Sequence, residues 1–376
     1  MKILITGAHF TPAQAVIEEL LRSKEKVEIV YVGRKSTREG DSTPSVESQI
    51  LPKMGVKFIP IIAGRIRRYI SIGTFTSLLK IPIGFVQAFL ILLKESPDIV
   101  VSFGGYVAVP LVFNAWLLNI PIIVHEQTLV SGLSNSFSNY FASRIAVAFD
   151  VPYAFNQTKL LLTGNPMRKK ILEPVEKGSS PIEEIIRKAK KEKKPLILIT
   201  GGNQGSHIIN EVIEESLVEL VKNYFVVHQT GDSQYKDFER LEIKAQDSAI
   251  KGRYHPSKWL SEEDMGRLFQ SVDLAISRCG ANTLLELSYH QVPTLMIPLP
   301  TVTKDEQTKN ARYFAEHGLG KVLLQKDLNT KSLLTLIQEV SEDPYLKTKI
   351  KDINQVVILG AEKKLAHEIL LIPYKA

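Results

Sequence analysis

The chain has 376 residues, of which 44% are hydrophobic and 23% are charged, and its formal net charge at pH 7 is +7. This length favours two domains, and this composition is typical of globular proteins, which excludes a disordered chain. The one cysteine, Cys279, excludes a disulfide framework and a cysteine-based zinc site. The first residues lack the apolar core of a signal peptide, so we expect no export.

Short apolar runs alternate with amphipathic segments along the chain, and each run predicts a buried strand. Strands that alternate with helices predict mostly parallel sheets with right-handed crossovers. The alternation restarts after a charged stretch at 179–194, so we predict two doubly wound sheets, with the change of domain near 161–168. The predicted strands are 2–6, 27–32, 99–102, 120–125, 144–148, 196–200, 225–229, 274–277 and 294–297.

In the first half, polar residues follow several of the predicted strands. His9 follows the first strand through Gly7-Ala8, and imidazole is the side chain best suited to take a proton near neutral pH. The segments 102–107 and 125–128 end later strands. Ligands of open α/β sheets bind beyond the carboxyl ends of the strands, so we expect these groups to converge there.

A basic and apolar stretch covers residues 51–94, which contain seven lysines and arginines and no acidic residue. Its apolar run, 78–93, is interrupted and shorter than the roughly 20 residues that a membrane-spanning helix needs. Two interpretations stay open at this point. The stretch is either a buried helix with a solvated basic flank or a patch that lies on an anionic bilayer surface.

The second half contains two strand-to-helix turns that suit a nucleotide. The turn 201–205 is rich in glycine and opens an amphipathic helix, where a close backbone and free amides attract anionic oxygens. The turn 277–283 leads to Glu286, whose carboxylate can accept hydrogen bonds from two ribose hydroxyls. Gln307 and Asn310 start another helix and can bind sugar hydroxyls. Each feature alone is also explained by a turn or helix start without a ligand.

Taken together, the order and spacing of these residues resemble those of the MurG family. Its members are peptidoglycan enzymes that add N-acetylglucosamine to undecaprenyl-diphosphate-linked N-acetylmuramoyl peptide. The similarity covers nearly the whole chain, and eight motifs in the same order are far more specific than any one. The motifs lie at 9–12, 103–107, 125–127, 164–168, 201–205, 228–231 and 278–286, and at Gln307 with Asn310.

The resemblance implies an α/β fold of the GT-B type, in which two Rossmann-like domains face each other across a cleft. It implies that residues 1–162, with a C-terminal helix at about 360–376, form an acceptor-binding, membrane-facing domain, and that 163–359 bind the UDP-sugar. The implied reaction is an inverting transfer from UDP-N-acetylglucosamine that builds a β-1,4 linkage with no bound metal and no cofactor. The expected partners are the lipid-linked acceptor and an anionic membrane surface, with no nucleic acid, at the cytoplasmic face of the cell membrane.

The resemblance also implies roles for the matching residues. His9 matches the family's candidate base, and Glu126 is a reserve base. The donor set is Arg168, Gly202, Asn203, Gln204 and Gly205 for the diphosphate, Arg278, Glu286 for the ribose, Leu260 for the uracil, and Gln307 with Asn310 for the transferred sugar. The acceptor set is Gly104, Gly105, Tyr106, His125, Gln127 and Thr128. The membrane patch is Arg65, Arg67, Arg68, Phe75, Leu79, Phe85 and Phe89.

Two departures from the family pattern fall on the acceptor half. The family usually has a longer turn of the form Gly-Gly-x-Gly-Gly-His where this chain has Gly7-Ala8-His9, and it has Asn at the position of Thr128. The donor is therefore more firmly predicted than the acceptor. The alternatives are a GT-B enzyme with another acceptor, a non-catalytic UDP-sugar-binding protein, and a dinucleotide oxidoreductase, whose fingerprint is missing after the first strand.

Overall fold

The computed structural model describes residues 1–36, 44–64, 72–173, 180–202, 204–300, 305–350, 353 and 356–372. Four of the predicted site residues, Arg65, Arg67, Arg68 and Asn203, lie outside these ranges. The chain divides into two compact units: unit 1 comprises Met1–Arg168 and Ile358–Ala376, and unit 2 comprises Lys169–Val357.

Each unit is built on one parallel sheet. The strands of unit 1 are β1 (Lys2–Thr6), β2 (Glu28–Gly33), β3 (Lys57–Pro60), β4 (Ile99–Ser102), β5 (Ile122–Glu126), β6 (Arg144–Val147) and β7 (Leu160–Leu162). Those of unit 2 are β8 (Leu196–Thr200), β9 (Phe225–Gln229), β10 (Tyr254–Ser257), β11 (Leu274–Ser277), β12 (Thr294–Met296) and β13 (Gly320–Val322). The strand orders are β3-β2-β1-β4-β5-β6-β7 and β10-β9-β8-β11-β12-β13.

The helices cover both faces of each sheet in the way that parallel strands require. They are α1 (Phe10–Arg22), α2 (Val46–Ile50), α3 (Ile72–Glu95), α4 (Ala108–Leu117), α5 (Leu133–Phe141), α6 (Lys169–Leu172), α7 (Pro181–Glu192), α8 (His207–Asn223), α9 (Asp237–Lys244), α10 (Glu262–Phe269), α11 (Ala281–Tyr289), α12 (Glu306–Glu316), α13 (Thr330–Glu342), α14 (Pro344–Lys349) and α15 (Ala361–Leu370). Within the described part of the chain, no helix combines the length and the apolar character needed to cross a bilayer.

The central strands are apolar because both of their faces are covered. Ile3 and Ile5 of β1 are fully buried, and helices α1 and α15 pack on them through a core that includes Leu20, Leu365 and Ile369. The C-terminal helix α15 is thus part of the core of unit 1. The predicted pair of Rossmann-like domains is confirmed by the two doubly wound sheets.

Both sheets have the strand order of the Rossmann fold, which fixes where a ligand binds. The order reverses between β1 and β4 in unit 1 and between β8 and β11 in unit 2, and ligands of such sheets bind beyond the strands at this switch point. The segments that leave these strands are the turns at 7–9, 103–107, 201–206 and 278–280. Eight of the predicted site residues lie in these segments: His9, Gly104, Gly105, Tyr106, Gly202, Gln204, Gly205 and Arg278.

Candidate active site

At the switch point of unit 1, two glycine-containing turns pack directly against each other. The Ala8 amide donates a hydrogen bond to the Gly104 carbonyl oxygen at 2.9 Å. Gly105 has a φ of +81°, and a Cβ at this position would collide with the methyl group of Ala8. Tyr106, which follows, is half-buried and packs on the core. The short turn at 7–9 is therefore held in place by the 103–107 segment.

His9 lies at the start of α1 with its side chain exposed. It occupies the N-cap position, yet its ring does not cap the helix. Although the residue has an exposed surface, the surrounding protein reduces the solvation of the ring, and this effect, with the positive charge of Arg34, lowers the pKa of His9 from 6.5 to about 4. Both the ordinary and the lowered pKa leave the imidazole neutral at pH 7, which is the state that a general base needs.

His125 is buried at the end of β5, so in this structure it does not present its ring to a ligand. Its Nε2 lies 3.1 Å from the Gly164 carbonyl oxygen, an acceptor, so Nε2 carries the proton of the neutral ring. Burial, and to a smaller extent the charge of His9, lower the pKa of His125 to about 4. In this structure His125 thus makes a contact within unit 1, and its contact with the acceptor stays a prediction.

Glu126 is 1% exposed and both of its carboxylate oxygens accept hydrogen bonds from its own unit. Oε1 accepts from the Thr128 hydroxyl at 2.8 Å, and Oε2 accepts from the Asn135 amide at 3.0 Å. Burial raises the pKa of Glu126, and these hydrogen bonds act in the opposite direction. Both oxygens thus accept hydrogen bonds within unit 1 in this structure, and the role of Glu126 as a reserve base stays a prediction. The hydrogen bonds that Thr128 and Asn135 donate to Glu126 hold the loop after β5 in place.

The remaining predicted residues of unit 1 are placed as follows. Gln127 is buried, whereas Arg168, the last residue before unit 2, is half-buried. Phe85 and Phe89 are half-buried on α3, and the Phe85 ring packs edge-on against Phe113 with centroids 5.6 Å apart. Two further members of the predicted patch, Phe75 and Leu79, lie in a part of α3 where only the backbone is described.

At the switch point of unit 2, the glycine turn 201–205 is closed by its own backbone. The Gly205 amide donates to the Gly202 carbonyl oxygen at 3.0 Å, and the Gly202 amide donates to the Thr200 hydroxyl at 3.0 Å. Gly205 has a φ of +72°, and a Cβ there would collide with the Thr230 carbonyl oxygen. Gln204 is exposed at the tip of the turn. The segment 228–231 thus packs against the turn and holds it in place.

A buried polar network anchors this support. His228 is fully buried, with Nε2 3.0 Å from the Asn210 side-chain oxygen and Nδ1 2.9 Å from the Tyr254 hydroxyl. Asn210 in turn donates to the Thr230 carbonyl oxygen at 3.0 Å and to Asp237 at 2.9 Å. The bonds made by Asn210 orient the network, so His228 donates from Nε2 and accepts at Nδ1. The motif at 228–231 therefore acts on the turn rather than on a ligand.

The buried neutral His228 predicts a specific pH dependence of stability. Burial lowers the pKa of His228 to about 3 in the folded protein. In the unfolded chain the same imidazole is protonated below about pH 6.5, whereas in the folded protein it stays neutral down to about pH 3. This contribution is complete above pH 6.5 and is lost at up to about 1.4 kcal/mol per pH unit as pH falls towards 3. Urea unfolding of unit 2 between pH 7 and 5 should show a shallower slope in His228→Gln than in the unchanged protein. An equal slope would contradict the assignment, and His367→Gln, at an exposed position, is the control.

Arg278, after β11, uses all of its N–H groups within the protein. The guanidinium donates to the Ser206 hydroxyl from Nε at 3.2 Å and from Nη2 at 2.7 Å, and to Gln325 at 2.7 Å. Nη1 donates to the carbonyl oxygens of Ile297 and Pro298 at 3.1 and 3.3 Å. All of its N–H groups are thus used within the protein in this structure, and a direct contact of Arg278 with the donor, which would have to replace one of these bonds, stays a prediction.

Gln307 and Asn310 of α12 also hold the segment after β11. The Gln307 side-chain oxygen accepts from the amides of Cys279 at 3.2 Å and Leu299 at 3.0 Å. No acceptor for its Nε2 lies among the described residues, so this is the end of Gln307 that a sugar hydroxyl can reach. Asn310 is fully buried and donates to the Cys279 carbonyl oxygen at 3.0 Å, so it holds this segment in place, and its contact with the transferred sugar stays a prediction.

The last two predicted residues, Glu286 and Leu260, lie in segments that follow the carboxyl ends of β11 and β10. Glu286 is 4% exposed in the second turn of α11, and Leu260 is half-buried just beyond β10. The described residues contain no group of three or more His, Cys, Asp or Glu placed to hold a metal ion. Sequence reasoning missed Ser206 and Asn210. Asn210 was detectable, because it shares the buried face of α8 with Ile213 and Leu217.

Comparison with known proteins adds the family. The glycosyltransferase family 28 N-terminal domain matches residues 6–147, and the C-terminal domain of that family matches residues 196–367. A UDP-N-acetylglucosamine–N-acetylmuramyl-(pentapeptide) pyrophosphoryl-undecaprenol N-acetylglucosamine transferase of Clostridium botulinum is 34% identical over 348 residues, covering 91% of both chains. The transferase 1 of this name from Bacillus cereus is 32% identical over 360 residues, covering 93% of both chains.

Solved structures agree on the fold. The Acinetobacter baumannii MurG crystal structure matches with a TM-score of 0.70 at 24% identity, covering 98% of this chain and 99% of that one. A UDP-GlcNAc 2-epimerase from Methanocaldococcus jannaschii matches with a TM-score of 0.62 at 12% identity, covering 98% and 99%. The fold is therefore shared by transferases and epimerases. The two transferase relatives are 34% and 32% identical to this chain, whereas the epimerase is 12% identical, so sequence identity separates the two activities where the fold does not. The predicted resemblance is confirmed: the chain belongs to the MurG family of glycosyltransferase family 28.

Proposed function

We propose that this protein transfers N-acetylglucosamine from UDP-N-acetylglucosamine to undecaprenyl-diphosphate-linked N-acetylmuramoyl peptide, the conversion of lipid I to lipid II in peptidoglycan synthesis. The observation that carries the proposal is the glycine turn 201–205, which opens α8 at the switch point of unit 2. Relatives that carry the name of this reaction match over 91% of the chain.

The donor occupies unit 2 in this proposal. Amides at the start of α8 bind the diphosphate, because a helix N-terminus presents free N–H groups and a positive dipole end. Glu286 accepts the ribose hydroxyls, and the backbone of Leu260 meets the uracil. The Nε2 of Gln307 donates to the transferred sugar.

The acceptor meets His9 of unit 1, which acts as the general base. The neutral imidazole takes the proton of the acceptor hydroxyl as the oxygen attacks the anomeric carbon. The bond from this carbon to the diphosphate oxygen breaks with inversion, and UDP leaves with the electron pair. Amides at the start of α8 stabilise the negative charge that develops on the diphosphate.

Membrane contact is supported by an apolar surface on unit 1. We call it the aromatic patch, and it consists of the exposed Ile83, Val86, Leu90 and Leu93 of α3, Trp116 and Leu117 of α4, and Leu133, Phe137 and Tyr140 of α5. Rings join the three helices, since Phe113 of α4 contacts Phe85 of α3 and Phe141 of α5. The buried face of α5 is polar, with Asn135 and Ser138, so its apolar face is the outer one.

An outward apolar surface that extends over three neighbouring helices marks an interaction site, and Trp and Tyr favour the membrane interface. These features support peripheral binding to a membrane, and we propose the cytoplasmic face because the resemblance to the MurG family implies it.

Charge introduced into the aromatic patch should release the protein from vesicles. The double change Val86→Glu and Leu90→Glu should lower the vesicle-bound fraction at least about tenfold, because two apolar side chains no longer enter the bilayer. Sedimentation with vesicles rich in anionic lipid measures this. Ile243→Glu is the matched control, since Ile243 is 76% exposed on α9 of unit 2. Equal release by the control, or no release by the double change, would remove the patch from the account.

The chemistry is tested by following the fate of UDP-N-acetylglucosamine. The proposal expects UDP to be released only when the lipid-linked acceptor is present. An epimerase would instead form UDP-N-acetylmannosamine without acceptor, and a non-catalytic binding protein would form neither product. UDP release that occurs only with a different acceptor would support a glycosyltransferase whose acceptor is not this lipid.

A further inference from the structure

The start of α8 lacks the side-chain cap that its sequence provides. Ser206 is the N-cap residue, and serine there normally accepts a hydrogen bond from an amide of the first turn. Ser180 and Ser261 do this at the starts of α7 and α10. The Ser206 hydroxyl makes no such bond, because it accepts two bonds from the Arg278 guanidinium instead. The first amides of α8 are thereby left for another acceptor.

Arg278 itself is a buried cation that meets no carboxylate among the residues the structure describes. Its side chain is 8% exposed, and every acceptor that it meets in the described part of the chain is a neutral hydroxyl, amide or carbonyl oxygen. Burial lowers the pKa of Arg278, and no carboxylate contributes in the opposite direction. A buried charge normally has a partner of opposite sign, since its desolvation is costly.

We propose that Arg278 is a positioning residue for the donor diphosphate, which it serves in two ways without touching it. It holds the Ser206 hydroxyl away from the amides of α8, and its uncompensated positive charge adds to the potential at this helix start. The diphosphate of the donor is the missing counter-ion. The inference rests on the proposed UDP-sugar donor and names a residue that acts through Ser206.

Three variants separate this role from a purely structural one. Arg278→Gln removes the charge, and Arg253→Gln is the matched control, because Arg253 is a surface arginine of unit 2 that pairs with Glu192. Ser206→Asp supplies both a cap and the missing negative charge. Ser206→Asn supplies a cap of nearly equal size without the charge.

The measurement is the affinity for UDP and for uridine, with the melting temperature of each variant. We expect Arg278→Gln to lower UDP affinity about tenfold or more, as when a charge-assisted interaction is lost, and to leave uridine affinity within about twofold. Ser206→Asp should raise the melting temperature while it lowers UDP affinity about tenfold or more, and Ser206→Asn should lower UDP affinity less. The control should bind UDP as the unchanged protein does.

A merely structural Arg278 predicts the opposite pattern. Equal losses for UDP and uridine in Arg278→Gln, or full UDP affinity in a stabilised Ser206→Asp variant, would overturn the inference and leave the proposed function intact. If Arg278→Gln does not fold, the Ser206 pair decides the question. Failure of the unchanged protein to bind UDP would overturn the proposed donor and this inference together.

Discussion

Replacing His9 with alanine should lower kcat by about 10²- to 10⁴-fold, the usual contribution of a positioned general base. His9 is exposed, does not cap α1 and is neutral at pH 7, so its loss removes the proton acceptor without opening the core. UDP affinity should stay within about twofold, because the donor binds unit 2. Initial rates at saturating substrates, with direct UDP titration, measure both quantities.

The control for this change is His367→Ala, an exposed histidine of α15 in the same unit. The pH profile adds a second readout. With the pKa of His9 lowered to about 4, kcat/KM at pH 6 should remain more than half of its value at pH 8. Unchanged turnover in His9→Ala would show that another group takes the proton.

Gly205→Ala should abolish measurable donor binding, with a loss of about 100-fold or more. The new methyl group would collide with the Thr230 carbonyl oxygen, and the φ of +72° costs a residue with a Cβ about 1–2 kcal/mol in addition. The turn must then move away from segment 228–231, and the amides at the start of α8 move with it. UDP titration of the purified variant measures the loss.

Gly252→Ala separates the collision from the backbone cost. Gly252 has a φ of +82°, but the nearest atom to its missing Cβ is Lys188 Nζ at 4.0 Å, and it precedes β10 at the opposite edge of the sheet. This variant should lose about 1–2 kcal/mol of stability and keep full UDP affinity. Equal UDP affinity in Gly205→Ala and Gly252→Ala would show that the turn does not form the diphosphate site.

The sequence predicted the central strands and missed the edge strands. All nine predicted strands exist, within one or two residues at each end. The missed strands are β3, β7, β10 and β13, which form the two edges of both sheets. Edge strands are covered less completely than central ones, so their residues are only partly buried and two of the four contain proline, at Pro60 and Pro256. The continuous apolar run that marks a buried parallel strand is therefore missing.

The sequence also predicted the turns at the strand ends better than it predicted the hydrogen-bond partners of individual side chains. The turns before His9 and after β8 follow from the order of strands and glycines, because strand ends at a switch point bind ligands. Which of the predicted site residues are buried could not be inferred in this way. Glu126 and Arg278 have the residue types of ligands, yet their polar groups make hydrogen bonds inside the protein in this structure. Which partner a side chain takes depends on contacts between residues as far apart as Ser206 and Arg278.

The measurement that tests the account most directly is the transfer of labelled N-acetylglucosamine from UDP-N-acetylglucosamine to undecaprenyl-diphosphate muramoyl-pentapeptide, beside the same reaction without acceptor. The account predicts a labelled lipid product that requires the acceptor, is formed by the unchanged protein and by His367→Ala, and is reduced at least about 100-fold in His9→Ala. A protein that binds UDP-N-acetylglucosamine but forms no labelled lipid would contradict the proposed reaction.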